Sequence, residues 1–389
     1  KCRNAIRRFI RKNPWAFVVV VGCYSQIGYK EIAKIPGVDL IIGNGEKMNV
    51  LDYVQLGKNE HPLIIRDRIT NEDFTVNFVG DLPYEKRANL KIQDGCSFIC
   101  SFCIIPKARG PARSRDMGNL LSEARQMADR GIRELVLTGV NIGTFKSQDG
   151  DLIKVLDRLN AIDGIDRIRI SSIEPTTIPI ELFPRMNDFG HALLPFLHIP
   201  LQAGSSAILK SMRRKYSLEE YLDFIDMAHG SVEDLYLGTD IMVGYPNEGD
   251  KEFEETCRTF MKHPFSYCHV FTFSEREGTP AARMEGRNEA SVKQVRSAKL
   301  RRLSESKRYA FYQSHVGREM TVLFEDPKDG LWPGYTDNYV RVLVESHQDL
   351  HNQICRVRLD RVVGDIMEGT LLNTVPDQVT ANRLLASSM

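Results

Sequence analysis

No stretch of this chain approaches the roughly 18 consecutive apolar residues that a membrane-spanning helix needs, so no such span is expected. An excess of one charge is also missing. Lys+Arg 52 against Asp+Glu 51 leaves a net charge of +1, and the overall balance does not announce a nucleic-acid partner. Eight cysteines in 389 residues cannot make a dense disulfide framework, and three of them crowd one loop, which points to a reducing cytosol and to metal ligation. The chain opens on Lys1 in a helical pattern, with neither an initiator methionine nor a secretory leader, and reads as lacking its true N-terminus.

What is present suits a large globular protein of two or three domains. The local charge is less even than the total. Residues 1–13 carry Lys1, Arg3, Arg7, Arg8, Arg11 and Lys12 without an acid, and residues 291–308 carry seven basic residues against Glu305 alone. Taken singly, such runs are solvated helix faces.

Residues 1–13 have helical spacing, and two apolar runs, 17–21 and 38–42, end in glycine-containing turns and suit buried parallel strands. A short helix is expected near 46–53, followed by a polar linker over 61–89. From Leu90 onward strands and helices alternate. Strands are expected at 90–93, 134–140, 167–173, 196–201, 235–243 and 267–273, with helices at 119–130, 152–159, 205–212, 218–228 and 251–261. Six such repeats are too few for a closed eight-stranded barrel. Beyond a basic helix at 291–311, short alternating segments at 319–324, 339–344, 355–359 and 368–372 predict a small antiparallel barrel, and the residues from 373 read as a mobile tail. The expected units are 1–60, a linker at 61–89, 90–312, 313–375 and a tail at 376–389.

The chemistry centres on GCSFICSFCIIP, where Cys96, Cys100 and Cys103 have the spacing Cys-x3-Cys-x2-Cys with Phe102 before the third. Structural zinc usually takes four ligands in paired Cys-x2-Cys turns, and plant-type ferredoxins need a fourth cysteine. Three thiolates on a four-iron cluster leave one iron open. Ligands of α/β barrels gather at the C-terminal strand ends. The second expected strand ends in Thr138, Gly139 and Asn141, the third in Ser172 and Glu174, and the fourth in His198 and Gln202, while the fifth carries Asp240. Gly139 would let backbone approach a ligand, and the polar side chains would face one cavity. Buried acids and histidines cost free energy unless paired. The loop after the cysteines holds Arg109, Arg113 and Arg115, able to meet a carboxylate or an RNA phosphate.

The cysteine pattern resembles that of radical S-adenosylmethionine (SAM) enzymes, in which the open iron binds the amino and carboxylate groups of SAM. The order GCYSQ, CSFICSFCIIPKARGPARSR, LTGVNIG, RISSIEP, LHIPLQAGS, MRRKY and GTDIMVGYP is similar to the methylthiotransferase family over nearly the whole chain. That resemblance implies an α/β fold: a partial N-terminal methylthiotransferase domain, an open six-unit radical SAM barrel and a C-terminal TRAM barrel that binds RNA. SSIEP, MRRKY and the segment from Gly334 to Tyr339 resemble the branch acting on threonylcarbamoyladenosine at tRNA position 37, which places a methylthio group on carbon 2 of the adenine.

The resemblance implies a SAM-binding 4Fe–4S cluster on Cys96, Cys100 and Cys103. It also implies SAM contacts at Phe102, Thr138, Gly139, Asn141, Ser172, Glu174, Gln202 and Asp240, and phosphate contacts at Arg109, Arg113, Arg115, Arg213 and Arg214. Cys23 matches the third ligand of a second, auxiliary 4Fe–4S cluster, whose first two ligands would lie upstream of residue 1. One SAM would methylate a sulfur on that cluster. The other would be cut to a 5′-deoxyadenosyl radical that takes hydrogen from the base, turned out of the anticodon loop. An electron donor such as a flavodoxin or ferredoxin and a cytoplasmic monomer complete the expectation. Methylthiolation of a ribosomal-protein side chain, and a non-catalytic RNA-binding protein with a structural metal, are the alternatives.

Overall fold

The computed structural model describes residues 2–54, 57–76 and 87–375. Its N-terminal part is a helix, α1 (Cys2–Lys12), and a parallel sheet of β1 (Val19–Val21), β2 (Leu40–Ile42) and β3 (Leu63–Ile65), with α2 (Cys23–Ala33) between the first two strands. The third strand lies inside the stretch read from sequence as a linker. Only three apolar residues beside Pro62 mark it, too few for a periodic signal.

Six parallel strands follow as two hydrogen-bonded triplets. The first comprises β4 (Arg87–Lys91), β5 (Glu134–Thr138) and β6 (Arg167–Ile170), with β5 central. The second comprises β7 (Phe196–His198), β8 (Tyr236–Val243) and β9 (Tyr267–Thr272), with β8 central. A parallel bridge between Ser172 and His198 joins the triplets, giving one curved, open sheet whose edges are β4 and β9. Helices on the outside include α3 (Ile105–Arg109), α4 (Met117–Asp129), α5 (Leu152–Asn160), α6 (Leu182–Asn187), α7 (Ser206–Ser211), α8 (Leu218–Ser231) and α9 (Asp250–Lys262). The α8 start is fixed by a capping box between Ser217 and Glu220.

Alternation along the strands explains both faces. Leu90, Leu137, Ile168, Leu197 and Ile241 point outward into the main core beneath the helices. The intervening residues, among them Arg87, Glu134, Arg167, Arg169, His198 and Asp240, point into the concave face. That lining is polar and charged, and it is paired.

The long α10 (Ala290–Gln313) leads to a closed barrel of β10 (Glu319–Phe324), β11 (Leu331–Thr336), β12 (Arg341–Glu345), β13 (Ile354–Val363) and β14 (Ile366–Val375), in the order β10-β11-β12-β14-β13. Strand β11 escaped the sequence reading because Pro333 and Gly334 sit in its middle, where both are unusual. Strand β14 runs on to Val375, so residues 373–375 are strand rather than tail, and 376–389 lie outside the described residues. No helix of the described residues is long and apolar enough to cross a membrane.

The turn between β11 and β12 closes the floor of the concave sheet. Arg167 donates to the carbonyl oxygens of Tyr335 (2.8 Å) and Thr321 (3.1 Å), and Arg169 to that of Asp337 (3.1 Å). Arg169 also pairs with Glu134 at 2.9 Å and lies 4.5 Å from the Tyr339 ring centroid. Burial alone would push the Glu134 carboxyl up, but the guanidiniums of Arg169, Arg167 and Arg87 outweigh it and hold it below the usual carboxylate range.

Candidate functional site

The cysteine loop leaves the C-terminal end of β4 and is pinned from three sides. Gly95 has a φ of 70°, and a Cβ there would come 1.9 Å from the carbonyl oxygen of Pro111, so only glycine lets the two ends of the loop meet. Ser101 donates from its backbone to Met212 O (2.9 Å) and from its hydroxyl to Ser211 O (2.9 Å), tying the loop to the end of α7. Gln93 accepts from the backbone N–H groups of Val140 (2.8 Å) and Asn141 (3.0 Å) and donates to Gly95 O (2.9 Å), locking the loop to the end of β5.

Donors are already aimed at the sulfurs. Phe98 N lies 3.4 Å from Cys96 Sγ, and Arg214 Nη1 lies 3.2 Å from Cys100 Sγ. Burial pushes the Cys96 thiol up to about 11 and raises Cys100 and Cys103. The metal-free loop therefore keeps its protons near neutrality, and metal loading must release them. Among the described residues, the group whose ligand atoms lie within 4.8 Å of one another is His198, Asp240 and His269. The N–H donors on Cys96 and Cys100 fit a sulfur-ligated cluster held by the loop.

The Arg214 side chain is 3% exposed, pairs with Glu174, and donates to Tyr216 Oη (2.9 Å) and Pro200 O (3.4 Å). This corrects the expectation of a phosphate contact: the side chain faces Cys100 from inside. Arg115 is fully buried against Glu123 and Asn119 and is likewise out of reach of RNA. Arg113 and Arg109 both turn toward the buried carboxylate of Asp94, at 3.5 and 3.4 Å, while Arg213 is exposed in a left-handed conformation. Much of the basic loop therefore neutralises an internal acid.

The expected SAM-facing residues divide. Asn141 is buried, its Oδ1 accepts from Glu174 N (3.2 Å) and Thr177 Oγ1 (2.9 Å), and its Nδ2 has no partner. That orphaned donor beside the cysteine loop fits a carboxylate such as that of SAM. Glu174 reaches the same place through Arg214. Gln202 holds a φ of 71°, a strained conformation of the kind that gathers at functional sites, with its backbone bonded to β8. Thr138 and Ser172 are half-buried on the concave face, and Phe102 packs against the main core. Gly139 is a correction: a Cβ there would meet the Gln93 side chain at 2.8 Å, so the close approach is to Gln93 and not to an open cavity. Asp240 sits within the concave face, where its Oδ1 lies 2.9 Å from His198 Nε2 and 3.5 Å from His269 Nδ1. Both Gln93 and His269 were missed from sequence. Their signal was the alternation that places Lys91 and Tyr267 on the same face.

Cys23 opens α2, and its Sγ receives Asn44 Nδ2 (3.5 Å) and Arg109 Nε (3.4 Å). Burial would raise this thiol, but those hydrogen bonds and the charge of Arg109 bring it below the usual range. Because Arg109 belongs to α3, directly after the cysteine loop, Cys23 and that loop are neighbours.

Arg214→Met should keep the volume but remove a cation and an N–H donor from Cys100. Both changes disfavour the more negative, reduced cluster, so its potential should fall by on the order of 100 mV. A redox titration followed by electron paramagnetic resonance reads this, and an unchanged potential would show that the contact does not tune the site.

A profile of the Radical SAM superfamily matches residues 90–260. The threonylcarbamoyladenosine tRNA methylthiotransferase of Bacillus subtilis (strain 168) is 36% identical over 401 residues, covering 100% of this chain and 88% of its own length. The tRNA-2-methylthio-N6-dimethylallyladenosine synthase of Anaplasma phagocytophilum (strain HZ) is 31% identical over 383 residues, covering 94% and 85% respectively. Among solved structures, a radical SAM methyltransferase from Kitasatospora setae with cobalamin and a 4Fe–4S cluster bound aligns with a TM-score of 0.53 at 13% identity, over 72% of this chain and 61% of that one. This last likeness is one of fold.

Proposed function

The chain belongs to the radical SAM methylthiotransferase family, and we propose that it adds a methylthio group to carbon 2 of N6-threonylcarbamoyladenosine at position 37 of tRNA. Membership implies a 4Fe–4S cluster and SAM. The observation that carries the reading is the cysteine loop, with its aimed N–H donors, set at the strand ends beside a concave face lined by arginines and tyrosines. The end-to-end likeness to the Bacillus subtilis enzyme supports the choice of nucleoside.

Cys96, Cys100 and Cys103 would hold the 4Fe–4S cluster, and with three thiolates on the loop a position would stay open for SAM. When bound, the cluster supplies the one electron that cleaves SAM to methionine and a hydrogen-abstracting radical. Asn141 Nδ2 would receive the SAM carboxylate, and Arg214 spans Cys100 and Glu174 to hold that wall rigid. Thr138, Ser172 and Gln202 offer the remaining polar contacts, and Phe102 backs the loop. The β11–β12 turn closes the floor against water, which a carbon radical requires. Cys23, its thiol held below the usual range by Asn44 and Arg109, would serve as one ligand of an auxiliary cluster that supplies the sulfur to be transferred. Exposed Arg213 remains for phosphate, and the target base turns out of the anticodon loop to reach the cavity. A flavodoxin or ferredoxin as electron donor and a cytoplasmic monomer complete the proposal.

Mass spectrometry of tRNA nucleosides from a deletion strain provides the test. The 2-methylthio derivative of threonylcarbamoyladenosine should vanish while its precursor accumulates. Unchanged levels of that derivative would refute the reading, and loss of the prenylated counterpart instead would move the enzyme to the other nucleoside.

A further inference from the structure

A cavity of about 650 Å³ occupies the concave face of the strands and is floored by the C-terminal barrel. Its wall runs directly into the cluster site along two chains. Ser172 lines it, and Glu174 two residues on holds Arg214; His198 lines it, and Pro200 two residues on accepts from Arg214. Two residues of extended chain span about 7 Å, so an occupant of this cavity lies within reach of chemistry at the cysteine loop.

The lining has two characters. One is aromatic: Tyr335 and Tyr339 stack at 4.8 Å, and Tyr236 and Tyr267 at 5.0 Å, a surface on which a planar base rests well. The other is cationic. Arg87, Arg169, Arg308 and Arg341 line the cavity against only Asp240 and Asp365. Two of these charges are spent within the protein, Arg87 on Glu325 (2.6 Å) and Arg169 on Glu134 (2.9 Å). Arg308, from α10, and Arg341, from β12, make no ion pair among the described residues. Asp240 is likewise taken up by His198 and His269. The cavity thus offers an aromatic wall with two uncommitted guanidiniums.

We propose that Arg308 and Arg341 receive the carboxylate of the threonylcarbamoyl group and thereby select this nucleoside over one whose N6 substituent is an uncharged prenyl chain. The inference rests on the reading that threonylcarbamoyladenosine is the substrate, and it adds what recognises it. The threonylcarbamoyl group ends in a carboxylate, which a guanidinium binds through two parallel N–H donors. A dimethylallyl group offers no charge, so packing it against half-buried Arg308 would cost part of that cation's hydration with nothing gained in return. Selection would then work through the unsatisfied cations as much as through the attraction.

The test uses the full chain with its cluster reconstituted and two fluorescent anticodon stem–loops. One carries threonylcarbamoyladenosine at position 37, and the other carries the same nucleoside with the carboxylate replaced by a carboxamide. The unaltered protein should bind the carboxylate loop about 10–100-fold more tightly, as expected for a charge-assisted pair. The R308Q/R341Q double variant should erase that difference while keeping affinity for the carboxamide loop within about threefold, since both side chains are at least partly exposed. Retained carboxamide binding also reports that the variant is folded. Equal binding of both loops by the unaltered protein overturns the subsite, and so does a variant that loses both loops alike, because the arginines would then be general phosphate contacts. A separate turnover assay distinguishes failure of the reaction: carboxylate-dependent binding without methylthiolation would sink the proposed activity and leave the subsite standing.

Discussion

A Cys100→Ala variant produces no 5′-deoxyadenosine above background under strong reductant, a loss of at least about a thousandfold, as when one member of a unit that acts together is removed. Cys100 is the buried member of the triplet, 8% exposed, and the loop carries no spare ligand. Cys257, Cys268 and Cys355 are buried elsewhere as packed thiols, and the residue facing Cys100 is a cation, which cannot ligate iron. Two remaining thiolates would hold a degraded cluster or none, so iron content should fall well below the unaltered protein's. The surrounding frame should survive, because Arg214 keeps Glu174, Tyr216 and Pro200 as partners. Affinity for the anticodon stem–loop should therefore stay within about threefold. Liquid chromatography of the reaction mixture decides the matter. Wild-type yields of 5′-deoxyadenosine from the variant would remove Cys100 from the cluster and the family mechanism with it.

The part of this site legible in the sequence is the part with short-range spacing. The cysteine loop and the six strand–helix repeats are set by residues within a few positions of one another, and their order survives in the structure. Burial of charge was not legible. The run Arg167-Ile168-Arg169-Ile170 alternates as a half-solvated strand would, and nothing local says that its arginines face a second domain some 170 residues downstream. Arg115 and Arg214 misled for the same reason: a cation in a basic segment reads as surface until Glu123 and Glu174 come into view. The segment Gly334–Tyr339 marks the branch by resemblance, but in the folded protein it has a physical task as the turn that plugs the concave sheet. Its Tyr339 takes a φ of 70° to do so.

That plug carries the second large expectation. Replacing Glu134 with alanine should destabilise the protein by about 3–5 kcal/mol, the range for removing one partner of a buried ion pair. In a chain of this size the thermal midpoint would fall by roughly 4–6 °C. Glu134 is fully buried among Arg87, Arg167 and Arg169. Desolvation already lowers Arg167 to about 10 despite the pull of Glu134 and Asp337. Without Glu134 the floor would keep three guanidiniums, with Glu325 taken up by Arg87 and with Asp337 and Asp166 acting on Arg167, and the added repulsion would act on the bonds by which Arg167 and Arg169 grip the turn at Tyr335 and Asp337. The loss should thus appear as loosening between the strand sheet and the C-terminal barrel, read as faster proteolysis near α10, in addition to a lower midpoint. A Glu134→Leu, Arg169→Leu double replacement removes both charges and should recover part of the stability, because the larger cost lies in the unpaired ion rather than in the missing pair. An alanine variant that melts with the unaltered protein would mean that water already reaches this floor. The cavity above it would then be wetter than recognition of a carboxylate by Arg308 and Arg341 requires.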